Sequence, residues 1–371
     1  MALTLQEKFR GCIASSWIGS AMGAAVEGWT PERIQETHGF LDTLQSYRHY
    51  ADVTNWQRPP GTTEDGIERQ RLIATAIIEK KDRIRADDLA GVWLRDLDPA
   101  KVVYKQEGFD LKLLELARAG VPPWELGRLW PYQTPVTVAR ASHPLGLINA
   151  GDPESAANDT VEVGKVYFRE MAFGLRWAAL YNAAVAEACK PGATVESVIA
   201  VATKFARYRA EGARLYALYD TIQREVGKAL ELAQKNSDPA AMRAEFYQHY
   251  HGGDYFNYGQ SQANEVVSKG LAIFALSKGN PRDAILTAVN FGRDTDCTAA
   301  VAGGLAGALS GGAALPEKWI SQVNEATLAD PYTNNRRTIE ETADGLFEAY
   351  CVRHHRLHDY LVAMGDPDFL R

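Results

Sequence analysis

Two short acidic motifs in this sequence have the residue types and spacing of a divalent-metal site. Thr63-Glu64-Asp65 and Asp294-Thr295-Asp296 each stand directly before a stretch with helical periodicity. Carboxylate and hydroxyl oxygens are hard donors, suited to Mg²⁺ or Mn²⁺ rather than to zinc. Asp294 and Asp296 can converge on one ion because the backbone is still turning where a helix starts. The motifs therefore predict a metal centre assembled from two distant parts of the chain.

Both motifs also have an ordinary structural explanation. Thr63 could be a helix N-cap, with Glu64 and Asp65 favoured by the helix dipole, and for the first motif alone this is the better explanation. The second motif fits it less well, because Asp294 and Asp296 cannot both cap one helix. They stand between an apolar helix and a Gly/Ala-rich stretch that should be buried, where an uncompensated carboxylate is costly.

A third acidic residue, Glu27, ends a helix of small residues near the N-terminus. Such a helix could pack closely against another helix of small residues, and residues 298–315 are rich in Gly and Ala. Glu27 then either joins the two acidic motifs or is a solvated glutamate at a helix end.

Helical periodicity dominates the elements that must position these residues. Strand signals are scarce, and the best of them is Val136-Thr137-Val138. We expect an all-α fold in one domain spanning residues 1–371, with long connections at 30–62 and 132–159 that surround the site. The predicted helices are 5–26, 65–80, 86–94, 109–119, 168–187, 195–208, 212–234, 266–276, 284–291, 298–309 and 339–364.

Composition narrows the class of protein. The 371 residues are 46% hydrophobic and 23% charged with a net charge of -7, which is ordinary for a globular protein and disfavours nucleic-acid binding. No stretch reaches the roughly 20 apolar residues of a membrane span, and the first residues lack a secretory pattern. The four cysteines are far apart and form no Cys-x-x-Cys pair, so we expect a cytoplasmic, reducing location.

Three blocks of the sequence resemble the core of the ADP-ribosylglycohydrolase family. That family includes the dinitrogenase reductase-activating glycohydrolases and the vertebrate ADP-ribose-protein hydrolases. The last block is the most specific, because Gly-x-Asp-Thr-Asp followed by a Gly/Ala helix and Pro-x-x-Trp is rare by chance. The resemblance covers about residues 9–319, and its blocks are GCIASSWIGSAMGAAVEG, TTEDG and NFGRDTDCTAAVAGGLAGALSGGAALPEKW.

The resemblance implies an orthogonal all-α fold with two Mg²⁺ or Mn²⁺ ions in a cleft. The implied reaction is hydrolysis of the C1 glycosidic bond of a ribosyl or ADP-ribosyl group. Glu27 or Glu64 would act in catalysis, as a base for the water or as an acid for the leaving group. The implied metal ligands are Thr63, Glu64, Asp65, Asp294, Asp296 and Cys297.

Three positions depart from the family pattern. Glu64 and Ser20 each replace an aspartate, and Cys297 replaces a threonine whose hydroxyl binds metal in many relatives. A thiol is a poor ligand for Mg²⁺, so one of the two ions would be weaker or supported by water. These departures make a small N- or O-riboside a rival substrate to ADP-ribosylated protein. A non-catalytic relative of the crystallin type is a further alternative, although the retained acidic residues argue against it.

Residues of the middle loops and of the last block are the candidates for substrate binding. Arg140 and His143 lie in a segment that resembles one near the substrate in the family, where they could meet phosphate or ribose; His143 could equally be a plain loop histidine. The Gly- and aromatic-rich residues 252–258 could stack a base or form a packed loop. The candidate substrate-binding residues are Arg140, His143, Tyr258, Asn264, Gly292 and Arg293.

Overall fold

Nineteen α-helices make up nearly all the regular structure in the described residues. The structure is a computed structural model that describes residues 3–49, 54–170, 172–208, 216–250 and 260–365. Those ranges hold two isolated β-bridges and no strand, which confirms the all-α prediction. None of their helices is both long and apolar enough to cross a membrane.

In chain order the helices are α1 (Leu5–Gly23), α2 (Pro31–His38), α3 (Asp65–Lys80), α4 (Ala86–Asp96), α5 (Pro99–Lys105), α6 (Gly108–Arg118), α7 (Pro123–Leu126), α8 (Thr137–Ala141), α9 (His143–Ile148), α10 (Pro153–Gly164), α11 (Phe173–Ala188), α12 (Val195–Phe205), α13 (Tyr216–Lys235), α14 (Pro239–Tyr250), α15 (Ala263–Leu276), α16 (Pro281–Val289), α17 (Thr295–Ser310), α18 (Glu317–Ala329) and α19 (Ile339–Ala363).

The core is built around helices that are buried on every side. All residues of α11 are buried, and so are the first 14 of the 16 residues of α17. A helix that is apolar all round needs neighbours on all its faces, and here α1, α15 and α16 pack around α17. The acidic motif at the start of α17 is therefore introduced into the interior rather than onto the surface.

Small residues allow α1 and α17 to pack backbone against backbone. A Cβ atom at Gly11 would lie 2.5 Å from the carbonyl oxygen of Gly307, and one at Gly23 would lie 2.5 Å from the backbone nitrogen of Asp296. Only glycine fits at such distances. The predicted pairing of two small-residue helices is thus present, and it sets the end of α1 beside the start of α17.

The Gly11→Ala substitution should destabilise the protein, because its methyl group cannot enter the α1–α17 contact without moving one backbone. Overpacking of this kind costs about 1 to 3 kcal/mol. Gly91→Ala is the matched control: Gly91 lies inside α4 with open space around its Cβ position, and alanine favours a helix by about 1 kcal/mol. Urea unfolding of both variants tests this, and an unchanged midpoint for Gly11→Ala would contradict the close-packing explanation.

The best of the scarce strand signals, Val136-Thr137-Val138, does not form a strand in the structure. Thr137 and Val138 are buried in the first turn of α8, and only the adjacent Pro135 forms a bridge, with Gln262. A run of three β-branched residues fits a buried helical turn as well as a strand when tertiary packing decides. The long connection at 132–159 consequently contains α8, α9 and the start of α10 rather than an open loop.

His143, expected in a loop near the substrate, is instead buried in the core at the start of α9. Its Nδ1 lies 2.9 Å from the side-chain nitrogen of Gln70, and its Nε2 lies 3.1 Å from the carbonyl oxygen of Ala300 and 2.7 Å from the hydroxyl of Tyr181. These partners suit a neutral ring that is protonated at Nε2. Burial lowers the pKa of His143 to about 4.

The lowered pKa predicts a specific pH dependence of stability. Between pH 6.5 and pH 4 the unfolded chain binds a proton at His143 that the folded chain does not, so the free energy of unfolding decreases by about 3 kcal/mol as the pH is lowered through this window. The gap in free energy of unfolding between wild type and His143→Gln should therefore narrow by that amount on acidification. The variant of the exposed His355, His355→Gln, is the control, and a gap that does not change with pH would refute the prediction.

Candidate metal centre

The start of α17 supplies two buried carboxylates that have free oxygen atoms. Asp294 is the N-cap of this helix, and its Oδ1 accepts a 3.3 Å hydrogen bond from the backbone N–H of Cys297. Its Oδ2 and the Oδ1 of Asp296 are buried and have no hydrogen-bond partner in the described part of the chain. Ligand atoms of the three residues lie within 4.8 Å of one another. Two oxygens of the second acidic motif are thus available to a cation.

The electrostatics of this pair fit a divalent ion. Burial, reinforced by the negative charges of Glu27 and Asp294, raises the pKa of Asp296 well above its usual range. Two adjacent buried carboxylates that each have one oxygen without a donor are costly, and a cation offsets this cost. Their hard oxygens are the donors that Mg²⁺ and Mn²⁺ prefer, so Asp294 and Asp296 are suited to hold such an ion.

The turn before α17 locks this helix to the end of the first helical segment. Gly292 and Arg293 both have positive φ, at 84° and 69°. The backbone N–H of Arg293 donates to the carbonyl of Trp29 at 2.8 Å, and its carbonyl accepts from Gly28 at 2.8 Å. The guanidinium of Arg293 pairs with the buried Glu265 at 2.7 Å. The sequence assigned Gly292 and Arg293 to substrate binding, whereas the contacts seen here hold the turn in place.

The first acidic motif has a different environment, rich in cationic side chains. Glu64, not Thr63, is the N-cap of α3, and its side chain makes no capping hydrogen bond, so the capping explanation of this motif is wrong. Arg58 and Tyr47 donate to Oε1 of Glu64, and Lys105 donates to the carbonyl oxygen of Thr63 at 2.7 Å. Burial alone would raise the pKa of Glu64, but Arg58 and its neighbours outweigh it and the pKa is lowered.

Arg140, on α8, joins the two acidic motifs. It donates from Nη2 to Asp65 and from Nη1 to the sulfur of Cys297 at 2.9 Å, and its Nη1 lies 3.9 Å from Asp296. Asp65 also accepts from Arg69 at 2.5 Å. Burial opposes ionisation of Asp65, yet Arg140 and Arg69 lower its pKa to about 2. The guanidinium of Arg140 therefore neutralises Asp65 while lying within reach of the second motif.

Glu27 follows the first helical segment and lines a cavity that Glu64 and Asp65 of the first acidic motif also line. Its Oε2 lies 3.3 Å from Nε2 of His49, and its side chain is buried. Burial, followed by the charge of Asp294, raises the pKa of Glu27 well above its usual range. The cavity, which we call the acidic lobe, has a volume of about 450 Å³, and its charged lining residues are Glu27, His49, Arg58, Glu64, Asp65, Lys105, Glu107 and Arg140.

A second cavity of about 320 Å³ adjoins the first, and we call it the aromatic lobe. The two lobes share Glu107, Arg140 and Ser261 in their linings. Three aromatic rings are in contact along its wall in tilted pairs, with the centroids of Phe109 and Trp130 5.1 Å apart and those of Trp130 and Tyr132 5.6 Å apart. Its aromatic lining residues are Phe109, Trp130, Tyr132, Tyr167 and Phe168. The cleft thus combines the charged acidic lobe with a lobe that has five aromatic side chains in its lining.

The other candidate substrate-binding residues do not line these lobes or lie outside the description. Asn264 is buried in α15, where its amide nitrogen is 3.4 Å from the carboxylate of Glu225. His143 belongs to the core. Tyr258 lies outside the described residues. Of the six candidates, Arg140 is the one that the structure places on the cleft wall.

Sequence reasoning missed the cationic half of the site. Arg58, Arg69 and Lys105 are buried, although basic residues usually stay exposed unless paired. Arg69 could have been noticed from its position four residues after Asp65, which places the two on one helix face. Arg58 and Lys105 carry no such local signal, because their partners depend on tertiary packing.

Comparisons with known proteins agree with this architecture. The sequence profile of the family described as ADP-ribosylglycohydrolase matches residues 1–356. Among solved structures, one titled "ADP-ribosylglycohydrolase-related protein complex" is similar, with a TM-score of 0.63 at 18% identity over 94% of this chain and 98% of its own. No curated protein matches the sequence.

The likeness to that structure concerns the fold, since the identity is low. The sequence profile, in contrast, covers almost the whole chain and includes both acidic motifs and Glu27. The chain therefore belongs to the ADP-ribosylglycohydrolase family, a family of glycosidases.

Proposed function

We propose that this protein is a divalent-metal-dependent hydrolase that cleaves the C1 glycosidic bond of a ribosyl or ADP-ribosyl group. The observation that carries the proposal is the pair of unpartnered carboxylate oxygens on Asp294 and Asp296, buried close to the glutamate that lines the acidic lobe. Membership of the glycosidase family supplies the reaction class. The hydroxyl groups of a ribose ring suit a lobe lined by carboxylates.

Asp294 and Asp296 would hold a Mg²⁺ or Mn²⁺ ion, with the nearby thiol of Cys297 a poor ligand for either. When bound, such an ion supplies a Lewis acid that orients the sugar hydroxyls and lowers the pKa of a coordinated water. The family resemblance implies a second ion near Thr63, Glu64 and Asp65, whose groups contact cationic side chains.

Glu27 is the better of the two proposed catalytic glutamates. Its side chain lines the acidic lobe, where its Oε2 lies 3.3 Å from Nε2 of His49. Burial and the charge of Asp294 raise the pKa of Glu27 well above its usual range, the direction that a general acid requires. Glu64 is fixed by Arg58 and Tyr47, which favours a role in organising the lobe over one in proton transfer.

The aromatic lobe is the proposed binding place for a planar group on the substrate. Aromatic side chains stack on a nucleobase or a similar ring, and such stacking contributes about 1 to 3 kcal/mol of binding free energy for each base. Arg140 and Glu107 stand where the lobes meet, so a ribose in the acidic lobe would direct an attached planar group toward Trp130. Either an adenine or a smaller aglycone satisfies this arrangement.

A small N- or O-riboside is the second candidate substrate. The favouring observation is that Arg58, Lys105 and Arg140, which line the acidic lobe, are each engaged by acidic groups of the chain rather than poised for a pyrophosphate. A screen with added Mn²⁺ of ADP-ribosyl-arginine, ADP-ribosyl-serine, O-acetyl-ADP-ribose and plain ribosides distinguishes the candidates. Turnover of ribosides alone would select the second, and turnover of none would refute the proposed function.

Asp296→Asn should abolish binding of Mn²⁺ and lower turnover by more than about 100-fold, since even the loss of groups that merely support metal ligands costs about 10- to 100-fold. In chelator-treated protein the same change should raise the free energy of unfolding, because an amide removes a carboxyl group that burial and its acidic neighbours make costly to ionise. Calorimetry, turnover and thermal melts measure these effects. Asp359→Asn, at a residue whose side chain is 81% exposed, is the control. Full turnover of Asp296→Asn would contradict the proposed mechanism.

Glu27→Gln should leave Mn²⁺ bound and reduce kcat by about 10²- to 10⁴-fold, the usual contribution of a general acid or base. Its amide keeps the shape of the carboxyl but cannot exchange the proton. The exposed Glu32→Gln variant on α2 serves as the comparison. If kcat of Glu27→Gln stayed near wild type while KM rose, Glu27 would be a binding group and the catalytic assignment would be lost.

A further inference from the structure

We infer that the two acidic motifs together take a single divalent ion, at Asp294 and Asp296, and that Arg140 and Arg58 fill the electrostatic role of a second ion at Thr63-Glu64-Asp65. The inference rests on the proposed function, since it concerns the same centre. It departs from the two ions that the family resemblance implies, and it arises from the unequal surroundings of the two acidic motifs.

Every residue of the first motif contacts a positive group of the chain. Lys105 binds the carbonyl of Thr63, Arg58 binds Glu64, and Asp65 accepts from both Arg69 and Arg140. These cations are themselves buried, so water does not screen their attraction to the acids. The motif is thus charge-balanced by the protein before any ion is considered.

The second motif lacks such a balance. Asp294 uses one oxygen to cap α17, and its other oxygen and one oxygen of Asp296 have no hydrogen-bond partner within the described ranges. The nearest cationic group that the structure records, Nη1 of Arg140, is 3.9 Å from the opposite oxygen of Asp296 and donates to Cys297 instead. The unmet demand for positive charge therefore lies at one end of the centre.

A second ion would have to displace a guanidinium that has no other place to go. The side chain of Arg140 packs on the first turn of α3 so closely that a Cβ at Gly66 would lie 2.8 Å from its Cδ. Its Nε is already buried without a partner. Moving the guanidinium of Arg140 away from Asp65 would leave its buried positive charge without this carboxylate partner, which is unfavourable. An ion placed beside it would instead meet direct charge repulsion.

Departures in the sequence agree with this division. Glu64 has one methylene more than the aspartate that the family uses, and this length lets its Oε1 receive both Arg58 and Tyr47. Cys297 offers a thiol, whose pKa burial raises well above its usual range, and it accepts from Arg140. Both positions are turned toward the cations of the chain.

The test is the stoichiometry of Mn²⁺ binding to the full chain. Titration calorimetry and elemental analysis after gel filtration should give one Mn²⁺ per chain. The electron paramagnetic resonance spectrum should show the six lines of an isolated Mn²⁺ rather than the multiline pattern of a coupled pair. Two ions per chain with a coupled spectrum would overturn the inference and leave the proposed function standing. No bound ion would overturn both.

Arg140→Met and Arg58→Met test why only one ion binds. Removing either guanidinium takes one positive charge away from a carboxylate of the first motif, so at least one of these variants should bind two Mn²⁺ per chain. Arg128→Met, whose parent side chain is 65% exposed, is the matched control and should bind one. Thermal melts check that each variant is folded. If both folded variants still bind one Mn²⁺, the cations do not exclude the second ion and the inference is wrong.

Discussion

Compensation of buried negative charge is the constraint on which this structure depends. Five buried carboxylates from three parts of the chain make up the candidate metal centre: Glu27, Glu64, Asp65, Asp294 and Asp296. Each must be protonated, paired or bound to a cation, because an isolated buried carboxylate is far too costly. The chain meets this demand by a raised pKa at Glu27 and by guanidinium partners at Glu64 and Asp65, and it leaves the demand unmet at Asp294 and Asp296, each of which has an oxygen without a partner in the described residues.

The helical scaffold makes this concentration of charge possible because backbone contacts outside the site hold the charged residues in place. The close packing of α1 on α17 sets Gly23 against Asp296, and the turn at Gly292 and Arg293 ties the start of α17 to the residues after Glu27. Side chains at the site therefore have little freedom to relieve repulsion by moving apart. A binding site of this kind is preorganised, since its charges are held in place by contacts far from the cleft.

The acidic half of the candidate site and most of the core helices could be predicted from the sequence, because both leave local signals. Asp294-Thr295-Asp296 before a Gly/Ala helix is a compact pattern, and α3 and α17 follow their apolar periodicity. The two long connections are partly helical, since prolines mark the first turns of short helices there, as in α2 and α10, but the described residues between α2 and α3 contain no helix. The cationic half left no pattern, because Arg58 and Lys105 find their partners through tertiary contacts.

Arg140 illustrates how one misassigned segment can hide a mechanism. The sequence predicted a substrate-binding role for Arg140. It did not predict the helix that carries Arg140, because this residue lies in a long connection that follows the best strand signal. Arg140 lies on α8 and contacts both Asp65 of α3 and Cys297 of α17. It also lies where the acidic and aromatic lobes meet. A substrate that spans both lobes must pass this guanidinium. The same residue thus links the charge balance of the metal centre to the route by which a ribosyl group and its planar substituent would enter.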